Sequence, residues 1–180
     1  MPINKNQNPI GAPIAKLLKA TLKDSGRIIS GEYEGRHFIT NGTFLTLFTI
    51  ESDWKDILLE CKLEPRHGTY QFASWSDKVP DVTQIMATAE KATKGEWLKA
   101  TIYRNNSHYH LFSSQGEVYA FDEQFLPLWE TFTIEQNRTM LKAYDSRYWS
   151  IVLAVRNLDN SENTYTNELK KLVESLQAPV

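Results

Sequence analysis

The stretch of residues 32–50 constrains the fold most, because a turn dipeptide, Asn41-Gly42, separates two runs rich in β-branched and aromatic residues. Asn-Gly accepts positive φ at both central positions of a type I′ turn, so it predicts a tight two-residue hairpin. Neighbouring side chains of a strand point to opposite faces of a sheet. Since apolar residues are adjacent in the runs, as at Phe38-Ile39, the hairpin is expected to carry protein on both faces. The stretch therefore predicts a central pair of strands.

The composition predicts one domain with a substantial core. Hydrophobic residues make up 41% of the 180 residues and aromatic residues 12%, which argues against disorder. The net charge of −2 gives no global field that favours nucleic acid, so such binding requires a local patch. The single cysteine, Cys61, is expected in the core. The absence of an apolar signal segment and of a long apolar run predicts a soluble, cytoplasmic protein without a membrane contact.

Helical and extended patterns alternate along the chain. Apolar spacing predicts a first helix from Pro13, and it predicts a short helix over residues 52–61 that a buried strand would also explain. Residues 78–82 are expected to form a connector, and an apolar turn follows at residues 82–86. Most of the remainder has the pattern of hairpin strands, with a short second helix from Glu123. This order predicts an α+β domain with a mainly antiparallel sheet and helices on one face.

The predicted domain spans residues 13–157. Residues 1–12 are polar, contain two prolines and one glycine, and are expected to form a loose tail. The C-terminal segment, residues 158–180, has the pattern of an amphipathic helix with a stripe of Leu169, Leu172 and Leu176. Because soluble proteins seldom leave such a stripe exposed, this helix is expected to pack on the body or on a second copy of the chain.

The first predicted helix carries Lys16, Lys19 and Lys23 on the face opposite its apolar stripe. A solvated face is the commoner reason for such a pattern. The alternative is a surface that faces phosphates, because lysines one helical turn apart can follow a nucleic-acid backbone. Both interpretations remain open on the sequence.

The sequence shows no recognisable catalytic or cofactor-binding motif. It contains no local nucleophile signature, no glycine-rich phosphate loop and no nominated pair of catalytic carboxylates, so neither an enzyme nor a cofactor is predicted. His108 and His110 would share one strand face, but a metal site would need a third ligand, such as His37 or His67. Exposed hairpin histidines are the favoured interpretation, so no metal is predicted. The strand aromatics could stack on bases or sugars, although cross-strand packing is favoured.

Three segments resemble parts of DNA sliding clamps and of their shorter relatives in bacteriophages. The T-D-G-x-x-L hairpin of clamps is similar to residues 35–45, where Thr40-Asn41-Gly42 precedes Phe44-Leu45. The F-P-D-x-x-x-I-I-P connector of clamps is similar to residues 79–86, Val-Pro-Asp-Val-Thr-Gln-Ile-Met. The second strand-to-helix segment of clamps is similar to residues 118–129. The resemblance covers roughly residues 13–157.

The resemblance implies a clamp-like unit that acts in DNA replication or on the replication machinery, without enzymatic activity and of phage or prophage type. Complete clamps join several such units into a ring with helices facing double-stranded DNA, so it also implies a homo-oligomer and a DNA-binding role for Lys16, Lys19 and Lys23. The second helix departs from the pattern through the acidic Asp122 and Glu123. An alternative is therefore a protein-binding module on the same fold, engaging a host or viral protein without binding DNA.

Overall fold

The computed structural model describes residues 3, 7–104, 106–114, 117–128, 133–137, 140–144 and 148–153. Its helices are α1 (Gly11–Lys23), α2 (Glu51–Glu60) and α3 (Thr83–Glu90), with a 3₁₀ helix at Glu123–Leu128. Its strands are β1 (Ile28–Tyr33), β2 (Arg36–Thr40), β3 (Phe44–Phe48), β4 (Gly68–Gln71), β5 (Ser74–Ser76), β6 (Thr93–Lys94), β7 (Glu96–Arg104), β8 (Ser107–Ser114), β9 (Glu117–Asp122), β10 (Thr133–Asn137), β11 (Met140–Tyr144) and β12 (Tyr148–Leu153).

The strands form two sheets, and every pairing between described strands is antiparallel. The larger sheet has nine strands in the order β5-β4-β1-β2-β3-β12-β11-β10-β6, and the smaller has the order β7-β8-β9. β3 lies at the centre of the larger sheet, where it pairs with β2 on one side and β12 on the other. The predicted α+β class with mainly antiparallel sheets is confirmed.

All five residues of β3 are buried, because both faces of the central strands are covered. Leu47 packs with Phe38 in one cluster, to which α3 contributes Met86. Phe48 and Ile39 belong to the opposite cluster, which contains the apolar residues of α1 and α2. Burial of one such side chain contributes about 1.5–3 kcal/mol. The expectation of protein on both faces is confirmed, and α3 lies on the face opposite α1 and α2, so the described helices do not all share one face.

The Asn41-Gly42 turn is longer than the predicted two-residue turn. Thr40 pairs with Leu45, which leaves four residues in the loop, and only Gly42 among them has a positive φ, of +92°. The Asn41 Oδ1 atom accepts hydrogen bonds from the backbone N–H groups of Thr43 at 3.0 Å and Phe44 at 3.3 Å. These bonds replace the backbone bonds of a type I′ turn, so the prediction of that turn type is wrong.

The hairpin β4–β5 contains the two-residue turn that the β2–β3 loop lacks. Phe72 and Ala73 have φ of 50° and 59° and lie between the paired residues Gln71 and Ser74. Two positive φ values are the mark of a type I′ turn, which Asn and Gly usually form. The rings of Tyr70 and Trp75 pack across the hairpin with centroids 5.3 Å apart, and Phe72 is left 78% exposed at the tip.

Gly31 lies inside β1, opposite Phe38 of β2. A Cβ atom at this position would lie 2.6 Å from the Phe38 ring and 2.6 Å from the Val79 side chain. Glycine is therefore needed because an aromatic ring of β2 and the connector both press against the backbone of β1.

Several helix boundaries in the structure differ from the predicted boundaries. α1 begins at Gly11, and Ile10 is buried, so the predicted loose tail ends earlier. α2 confirms the helix predicted over residues 52–61, whereas the apolar turn at residues 82–86 is part of α3. The second predicted helix is a 3₁₀ helix that ends at Leu128 within the described residues. The C-terminal segment, residues 158–180, lies outside the described residues.

Replacement of Gly42 by valine is expected to destabilise the protein by about 1–3 kcal/mol, because a β-branched residue resists positive φ. Nothing lies within 4 Å of a Cβ atom at this position, so the loss would come from the backbone and not from a clash. Chemical denaturation measures this loss of stability. Gly42→Asn is the control, because asparagine tolerates positive φ better. Equal stability of the wild-type protein and Gly42→Val would contradict the loop conformation.

Candidate functional site

The packing of α1 against α2 decides which of its side chains reach solvent. Ile14 and Leu18 of α1 are fully buried in the core. The Cys61 thiol, at the end of α2, donates a hydrogen bond to the Ala15 carbonyl with a sulfur–oxygen distance of 3.6 Å. The opposite face of α1 is therefore exposed, as the helical spacing predicted.

The three predicted lysines, Lys16, Lys19 and Lys23, are exposed on that face. Lys62, which follows α2, is exposed beside Lys19 and Lys23 along one surface groove. The carboxylate of Glu60 lines the same groove. We call these four lysines the basic patch. The four lysines and Glu60 together carry a net charge of +3.

Glu60 neutralises part of the patch. Its Oε1 atom accepts a hydrogen bond from the Lys19 Nζ atom at 2.8 Å. This bond raises the pKa of Lys19, against a smaller opposing effect of burial, and lowers the pKa of Glu60. Both groups are solvent-exposed, so water and salt screen the pair strongly. An anionic ligand can therefore compete for Lys19.

The spacing of the lysines suits an extended anion. A helix rises 1.5 Å per residue, so Lys16 and Lys23 are about 10 Å apart along the axis of α1. This separation corresponds to about three base pairs at 3.4 Å per pair on one strand of duplex DNA. The first six residues of α2 have a net charge of −2, from Glu51, Asp53, Lys55 and Asp56, and Lys55 pairs with Glu51. The basic patch therefore does not extend to that end of α2.

A second group of polar side chains lies near the start of α2, on the face of the larger sheet that α1 and α2 cover. His37 of β2 lies directly opposite Glu32 of β1. His67, just before β4, brings its Nε2 atom to 3.1 Å from the His37 Nδ1 atom. Trp54 of α2 stacks on the His37 ring with centroids 4.9 Å apart. We call Glu32, His37 and His67 the histidine cluster.

The surroundings of His67 lower its pKa and so favour its neutral imidazole form. Partial burial lowers the pKa of His67, the nearby His37 lowers it further, and Glu32 opposes both effects by raising it. His108 and His110, the pair noted in the sequence, are elsewhere, on β8 of the smaller sheet. The His110 Nε2 atom lies 3.7 Å from the Glu123 carboxylate.

An apolar groove runs between the β2–β3 loop and the segment that leads into α3. It is lined by Ile29, Phe44, Leu45, Pro80, Val82 and Ile85, among others. Its volume is about 150 Å³, below the roughly 300–1,000 Å³ of sites for drug-sized ligands. The groove therefore suits one or two apolar side chains of a peptide rather than a cofactor.

Comparison of the chain with protein-family models, curated proteins and solved structures finds no match. Among the described residues, no helix has the length and apolar character needed to span a membrane.

Helical spacing predicts the exposed lysines of α1, but no sequence pattern predicts Lys62, Glu60 or the histidine cluster as parts of a site. Lys62 and Glu60 gave no signal, because they join the patch only when α2 packs beside α1. His37 and His67 were considered only as partners of His108 and His110, whereas the structure brings them together with Glu32.

Cys61 is expected to be chemically inert in the folded protein. Burial raises its pKa to about 11, so about one thiol in a thousand is ionised at pH 8, against roughly a quarter for a free cysteine. The reaction with a thiol-specific disulfide reagent should be at least about 100-fold slower in native protein than in urea. A Cys61→Ala chain with Ala20→Cys on exposed α1 provides the reactive control. Rapid labelling of native wild-type protein would contradict the α1–α2 packing.

Proposed function

We propose that this chain is a non-enzymatic, clamp-like protein of phage or prophage type that acts in DNA replication or on the replication machinery. In this proposal the basic patch contacts the phosphate backbone of duplex DNA, and several copies of the chain act together. The observation that carries the proposal is the exposed row of Lys16, Lys19 and Lys23 on one face of α1, extended by Lys62. The clamp-like motifs of the hairpin and connector support it as a resemblance.

Contact between the basic patch and the phosphate backbone predicts how DNA affinity depends on salt and on DNA sequence. Each lysine that neutralises a phosphate releases counterions, so affinity falls with salt at a slope near −0.9 per contact. Contacts to phosphate oxygens carry no direct sequence information, so binding through this patch should not depend on sequence. The acidic start of α2 repels phosphate within about 10 Å at 0.1 M salt. Binding is therefore expected to be modest.

A second candidate is a protein-binding module on the same fold. The observation that favours it is the apolar groove beside the β2–β3 loop, where Ile85 is 41% exposed. An apolar side chain of a replication, host or viral protein would fit a groove of this size. The two candidates use different surfaces, so surface variants separate them.

Titration of labelled duplex DNA at low salt tests the first candidate. We expect a dissociation constant in the roughly 10⁻⁴–10⁻⁶ M range and a log–log salt slope of about −2 to −3. A Lys16→Glu/Lys23→Glu chain should lose binding. Glu60→Gln should bind more tightly, because it removes the opposing charge and releases Lys19. Light scattering of the same samples reports the number of copies.

Lys23→Glu alone should weaken binding. Lys99→Glu is its matched control, because it makes the same charge change on exposed β7 of the smaller sheet. It should bind as the wild type does. Absence of binding at about 50 μM protein, within the range of non-specific affinities, would reject the DNA-binding proposal and leave the protein-binding candidate. Equal losses in Lys99→Glu and in the patch variant would show that overall charge, and not the patch, controls binding.

A further inference from the structure

The histidine cluster draws its three side chains from separate segments of the chain. Glu32 and His37 form a cross-strand pair of β1 and β2. His67 reaches the same face because Gly68 pairs with Ser30, which places the end of the α2–β4 loop beside β1. One potential ligand atom from each residue lies within 4.8 Å of the other two.

The distances in the cluster suit one shared ion. Zinc binds imidazole nitrogen at about 2.0–2.1 Å in tetrahedral geometry, which places two such nitrogens about 3.3 Å apart. The His37 Nδ1 and His67 Nε2 atoms are already 3.1 Å apart. Small movements of the Glu32 side chain, which is exposed on the sheet surface, would complete a set of three ligands.

The imidazole rings are held in place by aromatic packing. Trp54 stacks on His37 and also lies against His67, with ring centroids 4.9 Å apart in each case. Trp54 is itself buried between α2 and the sheet. The orientation of two ligands is therefore restricted before a metal ion binds. Binding would then cost less side-chain conformational entropy.

We propose that Glu32, His37 and His67 form a site for a divalent transition-metal ion of the zinc type. Two imidazole nitrogens and one carboxylate oxygen are ligands that zinc accepts, and three protein ligands leave a fourth position for water. The ion ties β1, β2 and the end of the α2–β4 loop together.

The competing explanation is a hydrogen bond between the two imidazoles, in which one N–H donates to the other ring nitrogen. That bond involves no carboxylate and predicts no metal affinity. The role of Glu32 therefore distinguishes the two explanations. The site also lies apart from the basic patch, so it does not depend on the proposed function.

Calorimetric titration of the untagged, metal-free chain with Zn²⁺ at pH 7.5 tests the site. The wild type should bind one ion and gain thermal stability, because a ligand that binds only the folded state stabilises it. His67→Gln, His37→Gln and Glu32→Gln should each lose at least about tenfold in affinity, the range seen for changes around metal ligands. Glu32→Gln alters an exposed side chain and keeps the imidazole pair, so it is informative even if a histidine variant misfolds.

His108→Gln on β8 is the matched control and should bind zinc with wild-type affinity. Absence of binding by the wild type would overturn the proposal in favour of the imidazole hydrogen bond. An unchanged affinity in Glu32→Gln would overturn the three-ligand assignment, and an equal loss in His108→Gln would show that zinc binds to surface histidines without a defined site.

Discussion

The burial of β3 on both faces is the constraint on which the rest of the structure depends. β3 hydrogen-bonds to β2 from the first half of the chain and to β12 from the second half. Its side chains alternate between the cluster under α1 and α2 and the cluster under α3. A strand in this position is expected to be largely apolar, because each residue faces one core or the other. The run Phe-Leu-Thr-Leu-Phe meets that demand with a single buried threonine.

This arrangement also places the two candidate sites. α1 and α2 cover one face of the larger sheet, so the exposed side of α1 carries the basic patch, and Trp54 on the buried side of α2 reaches the histidine cluster. The smaller sheet joins the same core, to which it contributes Phe112 and Phe121. Each site therefore depends on how the helices lie on the sheet and not on a separate motif.

Local periodicity explains what could be predicted from the sequence. The buried and exposed faces of α1 follow the helical repeat, and the two-sided burial of β3 follows from adjacent apolar residues. The loop at Asn41 could not be predicted, because the Asn41 Nδ2 atom donates a hydrogen bond to the Thr21 Oγ1 atom of α1 at 2.9 Å. That tertiary contact is made in the four-residue loop, which takes the place of the two-residue turn that Asn-Gly usually forms. The histidine cluster escaped prediction because its histidines are 30 positions apart in the sequence and meet only through the pairing of β1 with β4.

Hydrogen exchange of the backbone amides in β3 tests most directly whether this strand is the centre on which the fold depends. Amides that open only when the whole protein unfolds exchange at the free energy of global unfolding, whereas those at sheet edges open locally. Residues 44–48 should therefore be among the slowest to exchange, and residues 74–76 of the edge strand β5 should exchange much faster. Exchange of the β3 amides as fast as that of β5 would contradict the account.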